Sequence, residues 1–324
     1  MRQISNILAY VEGQPEITAL NRAVATAKSA GAKLTLAAVV RPARSQVLFT
    51  RASFDLDKIE QLLVRERKRQ LENAVAGYED RGVEIALRVF LGDPVEAIVD
   101  AVQSEGFDFL TKTVSPAKGL RAQMFGSIDL RLMRACPCPV AIARPKPEGY
   151  SGCAVVAIDS DQDDDLKTSL NREILDSVAL LLKSDFEIIK EVHIVHAWSL
   201  YGEQLLESGA AKLPDDEFQK ALDDEEANKR RWLQDLVERY RGTLDKSVAA
   251  SFNPKLSLLH GDPNNVIPKY VDEVNADMLG MGTVSRRGLS GLLIGNTAEA
   301  ILNSVNCSVV VHKPKGFLAP ESSD

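Results

Sequence analysis

The sequence predicts an α/β protein made of two tandem, doubly wound, parallel five-stranded sheets. Its length of 324 residues exceeds what one ordinary core requires, so two domains are expected. Short apolar runs alternate with amphipathic stretches, which is the pattern of strand–helix–strand units. Residues 261–314 also repeat residues 92–145 at a constant offset of 169, with thirteen identities over 54 aligned positions; background usage would give about three. We therefore predict one domain over residues 1–146 and a second over residues 151–315.

The first half contains five predicted strands separated by four predicted helices. The apolar run that begins at Asn6 fits a buried parallel strand, and the helical pattern that follows ends at Gly31. Asp93 and Pro94 suit the cap and the first turn of a later helix. The predicted strands cover residues 6–11, 33–40, 83–90, 107–113 and 140–143, and the predicted helices cover residues 16–30, 55–80, 94–104 and 127–135. This alternation favours parallel pairing with right-handed crossovers.

The second half repeats this order after a linker rich in proline and glycine, residues 144–152. A longer excursion, residues 199–214, separates its second strand from its second helix. The predicted strands cover residues 154–158, 192–197, 255–259, 277–282 and 308–312, and the predicted helices cover residues 166–182, 215–240, 264–274 and 297–304. Both halves are therefore expected to have the same doubly wound topology.

Composition limits the class of protein and its partners. A hydrophobic content of 45% and a charged content of 26% are typical of a soluble globular protein. The net charge of −7 argues against nucleic acid or an anionic membrane as a partner, and no apolar stretch approaches the roughly 18 residues of a membrane helix. No secretory signal is visible, so we expect a cytoplasmic location. Four cysteines are too few for a disulfide framework, and Cys138, repeated as Cys307, is expected to pack in the core.

The segment that carries the candidate chemistry follows the fourth strand of the second half. It includes Gly282, Ser285, Gly295, Asn296 and Thr297. Ligands of doubly wound sheets bind beyond the carboxyl ends of the strands, and backbone N–H groups that open a helix can hold an anion. The alternative is that the glycines serve only turn geometry. The sequence leaves both interpretations open.

This segment resembles the phosphate loop of the universal stress protein superfamily, whose ATP-binding members carry G-x2-G-x9-G-[S/T]. Gly282 matches the first glycine and Gly295 the last, Ser285 replaces the second glycine, and Asn296-Thr297 occupies the hydroxyl position. The tandem arrangement and the motifs G-T-V-x-R-x-G and G-N-T-A-E are most similar to tandem E-type members of the family. The resemblance extends over nearly the whole chain.

The resemblance implies a ligand site and a way of joining the halves. Asp159 matches the acidic residue that lies by adenine and ribose, and Ala197, near the end of the next strand, is a further candidate cofactor-binding residue. The implied ligand is ATP, accompanied by Mg²⁺, or another small molecule. Universal stress domains pair through their last strands, so residues 140–143 and 309–312 should join the halves as an internal pseudo-dimer; a homodimer and protein partners remain open.

The first half departs from the pattern. Thr113 and Pro116 stand where Gly282 and Ser285 stand in the second half, and Glu12 replaces the aspartate at the end of the first strand. Proline has no N–H to offer a phosphate. Although Gly126-Ser127 is retained, we expect this copy to act as a scaffold rather than to bind nucleotide.

Three functions follow, in decreasing order of support from the sequence. The first is a stress-response regulatory protein that binds ATP or another small ligand in its second half. The second is a scaffold or interaction protein of the stress response that binds no nucleotide. The third is an enzyme such as a slow ATP hydrolase, which we do not expect because no pair of general base and nucleophile stands out near the loop.

Overall fold

A computed structural model describes residues 4–42, 55–78, 81–114, 125–145, 149–160, 165–182, 189–203, 205, 214–283 and 295–313. In the first half, strands and helices alternate in the predicted order. They are β1 (Asn6–Tyr10), α1 (Ile17–Ala30), β2 (Lys33–Val40), α2 (Leu56–Val75), β3 (Ile85–Leu91), α3 (Pro94–Ser104), β4 (Phe109–Thr113), α4 (Ser127–Ala135) and β5 (Val140–Ala143).

The second half has the same succession with one additional short helix. Its elements are β6 (Cys153–Ala157), α5 (Asp165–Leu182), β7 (Glu191–Trp198), α6 (Asp215–Arg241), α7 (Lys246–Ser251), β8 (Lys255–His260), α8 (Pro263–Glu273), β9 (Met278–Gly282), α9 (Asn296–Ser304) and β10 (Ser308–His312). The sequence did not predict α7, which has six residues and so completes fewer than two helical turns. Every other predicted helix and strand is present, with ends that differ by a few residues.

The strands form a continuous ten-stranded sheet in the order β3-β2-β1-β4-β5-β10-β9-β6-β7-β8. Within each half every pairing is parallel and the order is that of a doubly wound sheet. The predicted α/β class with two parallel five-stranded units is therefore confirmed. The two units meet edge to edge, so they share one extended sheet.

The seam between the halves, formed by β5 and β10, is the antiparallel pairing in this sheet. Val309 faces Ile142, and Val311 faces Val140, and all four side chains are fully buried. Pairing removes two apolar strand edges that would otherwise promote association. Arg134 and Glu299 form an ion pair across the seam. The predicted internal pseudo-dimer is confirmed.

Helices cover both faces of the sheet, and their apolar residues form the two cores. On one face α3, α4, α8 and α9 contribute buried side chains such as Ile98, Leu132 and Ile301. On the other face α1, α2, α5 and α6 contribute residues such as Val24, Ile174 and Leu233. Along the described parts of the chain, the helices fall short of the combined length and hydropathy that crossing a bilayer requires.

The repeated Gly-Asp-Pro motif joins a strand to a helix in both halves. Gly92 and Gly261 have φ angles of 140° and 124°, which L side chains rarely adopt. The Asp93 carboxylate accepts a hydrogen bond from the Val95 amide at 3.0 Å, and Asp262 caps α8 in the same way. The strongest part of the sequence repeat is therefore a turn and helix cap rather than a ligand site.

Candidate functional site

The predicted site residues of the second half lie at the carboxyl edge of three neighbouring strands. Asp159 follows β6, Ala197 lies near the end of β7, and Gly282 ends β9. Because β6 pairs with both β7 and β9, these residues occupy one edge of the sheet. The Gly295 amide donates to the Thr283 carbonyl at 3.2 Å, which brings the start of α9 to the same edge. Ser285 lies outside the described residues.

The start of α9 has no side-chain cap. Gly295 is its N-cap and offers no side chain to satisfy the first amides. Asn296 and Thr297, the first two helical residues, are exposed. The positive end of a helix dipole is suited to a phosphate or another small anion.

Gly282 is required by helix packing. A Cβ atom added there would lie 2.5 Å from Leu170 Cδ2, on α5. Gly280, two residues earlier on the same face, has its nearest contact with Ile174, also on α5, at 3.4 Å. The glycines therefore let α5 lie close against β9, and Leu170 covers the face of Gly282 that is turned toward α5.

Asp159 lines an open polar cleft between the end of β6 and the long helix α6. The cleft has a volume of about 1090 Å³. Lys229 Nζ donates to Ser160 Oγ at 2.9 Å on one side of it, and the Trp232 ring lies on the α6 wall. The Asp159 backbone is fixed by Asn171, whose amide nitrogen donates to the Asp159 carbonyl at 2.7 Å. The strand end is thus rigidly placed, while the Asp159 side chain is exposed.

His196 lies beneath this cleft wall and is neutral. Its Nδ1 is 3.0 Å from the Ile158 carbonyl, so Nδ1 carries the proton and donates. Its ring packs against Trp232 with centroids 5.1 Å apart. Burial lowers the pKa of His196 below its ordinary value. His196 therefore supports the end of β7 as an uncharged side chain.

The corresponding place in the first half is filled by a buried ion-pair cluster that sequence reasoning missed. Lys112 Nζ lies 2.8 Å from Asp129 Oδ1 and 2.7 Å from Glu12 Oε2, and the side chains of Lys112 and Asp129 are completely buried. Asp129 Oδ2 also accepts from the Gly126 amide at 2.8 Å, so an internal carboxylate caps the start of α4. A cavity of about 30 Å³ remains beside Glu12 and Lys112, which is little more than the space of a water molecule.

The second half carries uncharged residues at the same repeat positions. At the offset of 169, Met281 replaces Lys112 and Ala298 replaces Asp129. The methyl group of Ala298 therefore stands at the start of α9 where a carboxylate caps α4. Comparing the two aligned copies for charge, rather than for glycine, is the sequence signal that would have found this difference.

Within the ranges that the structure describes, no group of three or more His, Cys, Asp or Glu side chains is arranged to hold a metal ion.

Residues 4–144 and 187–313 match the model of the universal stress protein family. The matched segments cover most of the chain and correspond to the two halves of the sheet, and the chain therefore belongs to the universal stress protein family.

Relatives of the chain align with it over nearly their full length. The chain is 25% identical over 334 residues to "Universal stress protein E" of Escherichia coli (strain K12), with 100% of this chain and 98% of the relative covered. Its identity to the protein of that name from Photorhabdus laumondii is 25% over 325 residues, with coverages of 99% and 98%. A solved universal stress protein from Archaeoglobus fulgidus shares the fold at a TM-score of 0.54 and 16% identity, covering 96% of this chain and 97% of its own. The resemblance to tandem E-type members is confirmed.

Proposed function

We propose that this chain is a cytoplasmic stress-response regulatory protein whose second half binds ATP or another small anionic ligand. The ligand's phosphate would lie at the start of α9, near Gly295, Asn296 and Thr297. Its base and sugar would lie beside Asp159 and Ala197 at the ends of β6 and β7. Mg²⁺ would accompany the nucleotide. Binding would change contacts with partner proteins, and no catalytic step is part of the proposal.

The difference between the two helix starts carries this proposal. In the first half the Asp129 carboxylate already satisfies the start of α4 and is neutralised by Lys112. In the second half Ala298 leaves the equivalent helix start without that internal anion. The Gly295 amide, equivalent to the Gly126 amide that Asp129 caps, donates to the Thr283 carbonyl instead. An external anion would therefore interact with the helix dipole and with the Asn296 and Thr297 amides of α9.

A second candidate function, a scaffold that binds no nucleotide, is favoured by Leu170. Its side chain covers Gly282 and is itself buried. A ligand that approaches Gly282 closely must displace Leu170, and exposing a buried leucine costs on the order of 1.5–3 kcal/mol. A ligand held mainly by α9 and Asp159 avoids this cost.

Thermal unfolding with nucleotides and the variant Asn296→Asp tests the proposal. Millimolar ATP with Mg²⁺ should raise the melting temperature of the wild-type chain, because a ligand that binds only the folded state stabilises it. The added carboxylate of Asn296→Asp interacts favourably with the helix dipole, so the ligand-free variant should be at least as stable as wild type. The same charge repels phosphate, and we expect the Kd for ATP to rise about fivefold to tenfold, or roughly 1 kcal/mol.

Asn303→Asp is the matched control, because it makes the same change at an exposed position in the last turn of α9. It should leave the effect of ATP intact. If both variants lost ATP binding equally, the binding site could not be assigned to the start of α9. If ATP, ADP and GTP all leave the melting temperature unchanged, nucleotide binding fails and the scaffold function is supported.

A further inference from the structure

Two thiols, those of Cys136 and Cys138, touch at the end of the first half. Cys136 is the C-cap of α4, and its φ of −69° and ψ of 129° show that the backbone becomes extended there. Side chains two residues apart in an extended chain lie on the same face. The two Sγ atoms are accordingly 3.4 Å apart, within contact distance. Val305 occupies the position equivalent to Cys136 in the second half, so the pair of thiols is found in the first half alone, whereas Cys138 itself is repeated as Cys307.

A buried lysine from the other half lies beside this pair. Lys313, which follows β10, donates from Nζ to the Cys136 carbonyl. Burial by itself raises the pKa of the Cys136 thiol, but the hydrogen bond from Cys138 and the Lys313 ammonium outweigh it and lower that pKa below the ordinary value for cysteine. The thiolate is the nucleophilic form of cysteine, so this environment favours reaction at Cys136.

The pair lies directly beside the seam between the halves. Cys138 is two residues before Val140, which faces Val311 across the antiparallel β5–β10 pairing. Cys136 is joined to the second half through Lys313. A covalent change at the two thiols would therefore act where the two halves contact each other.

We propose that Cys136 and Cys138 are a redox-active dithiol that hydrogen peroxide oxidises reversibly to an intramolecular disulfide. The Cys136 thiolate attacks one peroxide oxygen, the O–O bond breaks, and Cys136 becomes a sulfenic acid while the other oxygen leaves as water. The Cys138 sulfur then attacks the Cys136 sulfur, the S–O bond breaks, and a second water leaves. Two electrons pass from the thiols to the peroxide, and both thiol protons end in water.

The contact requires little rearrangement for this step. The sulfurs must approach from 3.4 Å to the roughly 2.05 Å of a disulfide bond. A ring closed across a single residue, Pro137, has little freedom to relax, and disulfides held in such rings are readily reduced. Both thiols are buried, so a small peroxide must enter through local opening, and the oxidation is expected to be slow.

Mass spectrometry of the full-length chain tests the proposal. The folded protein is equilibrated with hydrogen peroxide, the remaining thiols are alkylated under denaturing conditions, and peptides are mapped. We expect two of the four cysteines to resist alkylation, and the peptide that contains Cys136 and Cys138 to lose two hydrogens, about 2 Da. Dithiothreitol should restore all four alkylations.

Cys136→Ser and Cys138→Ser should each abolish the 2 Da loss, whereas Cys153→Ser, a buried cysteine of β6, should retain it. Circular dichroism before oxidation shows whether each variant is folded. If a variant does not fold, the wild-type peptide map still decides whether the disulfide forms. A bond to Cys307, a bond between two chains, oxidation to sulfinic acid without the 2 Da species, or no reaction would each overturn the proposal.

Discussion

Lys112 illustrates how a single residue distinguishes the two halves. Its ammonium group is fully buried between the carboxylates of Asp129 and Glu12. Desolvating these charges costs several kcal/mol per ion, and mutual attraction offsets this only while the partners remain together. The cluster therefore places buried charges in the first half where the second half has Met281 and Ala298.

Replacing Lys112 alone should strongly destabilise the fold, whereas replacing Lys112 and Asp129 together should destabilise it little. Lys112→Met leaves the Asp129 carboxylate buried without its cation, and we expect a loss of about 3–5 kcal/mol in the free energy of unfolding. The double variant Lys112→Met/Asp129→Ala, which copies the second half, should lose only the helix cap, about 1 kcal/mol. Urea unfolding at pH 7.5 measures both.

Lys33→Met is the control for that comparison, because it breaks an exposed ion pair with Glu84, a kind of contact worth about 0–1 kcal/mol. A cost of Lys112→Met no greater than this control would show that the buried cluster does not matter for stability.

At the scale of elements, α5 and β9 fit together through two glycines. Gly282→Ala would place a methyl group against Leu170, and overpacking of this kind costs about 1–3 kcal/mol. Gly280→Ala, which meets Ile174 at an ordinary contact distance, should cost less. In a double-mutant cycle with Leu170→Ala, the loss for the pair should be smaller than the sum of the single losses, because the truncated side chain makes room for the methyl group. Additive losses would contradict this packing.

The sequence predicted the elements better than it predicted the site. Strands and helices were visible because each buries a continuous apolar run or stripe, and the repeat gave every assignment a second test. The role of Gly282 was not visible, because the motif does not reveal which helix residue lies against the glycine. The Lys112–Asp129 contact joins residues 17 positions apart on a strand and a helix, so only the fold brings it together.

At the scale of the whole molecule, the seam makes the two halves one continuous sheet. Lys313 belongs to the second half, yet its side chain is buried against Cys136 of the first. A change in the charge of Lys313 therefore alters the contact between the two halves. Its burial suggests that the stability of the whole chain depends on pH through this residue.

Burial lowers the pKa of Lys313 from the ordinary 10.5 of a lysine to about 8. Between these values the unfolded chain binds the proton more than the folded chain does, so stability must rise with pH in that window. From pH 7.5 to 9.5 we expect a gain of about 2 kcal/mol in the free energy of unfolding. The lowered pKa of Cys136 acts in the same direction, so measurements in reducing buffer should show at least this gain.

Lys313→Met should remove most of the pH dependence and should be more stable than wild type at pH 7.5, where wild type must bury a charged ammonium. Lys269→Met, at an exposed position on α8, should retain the full rise. Burial raises the pKa of Tyr10 and Tyr240, which reverses the slope only above about pH 10, so urea midpoints at pH 7.5, 8.5 and 9.5 report on Lys313 and the neighbouring Cys136. A wild-type midpoint that stays flat or falls across this range would show that the folded protein keeps Lys313 charged, and the seam would then have to contain a compensating anion.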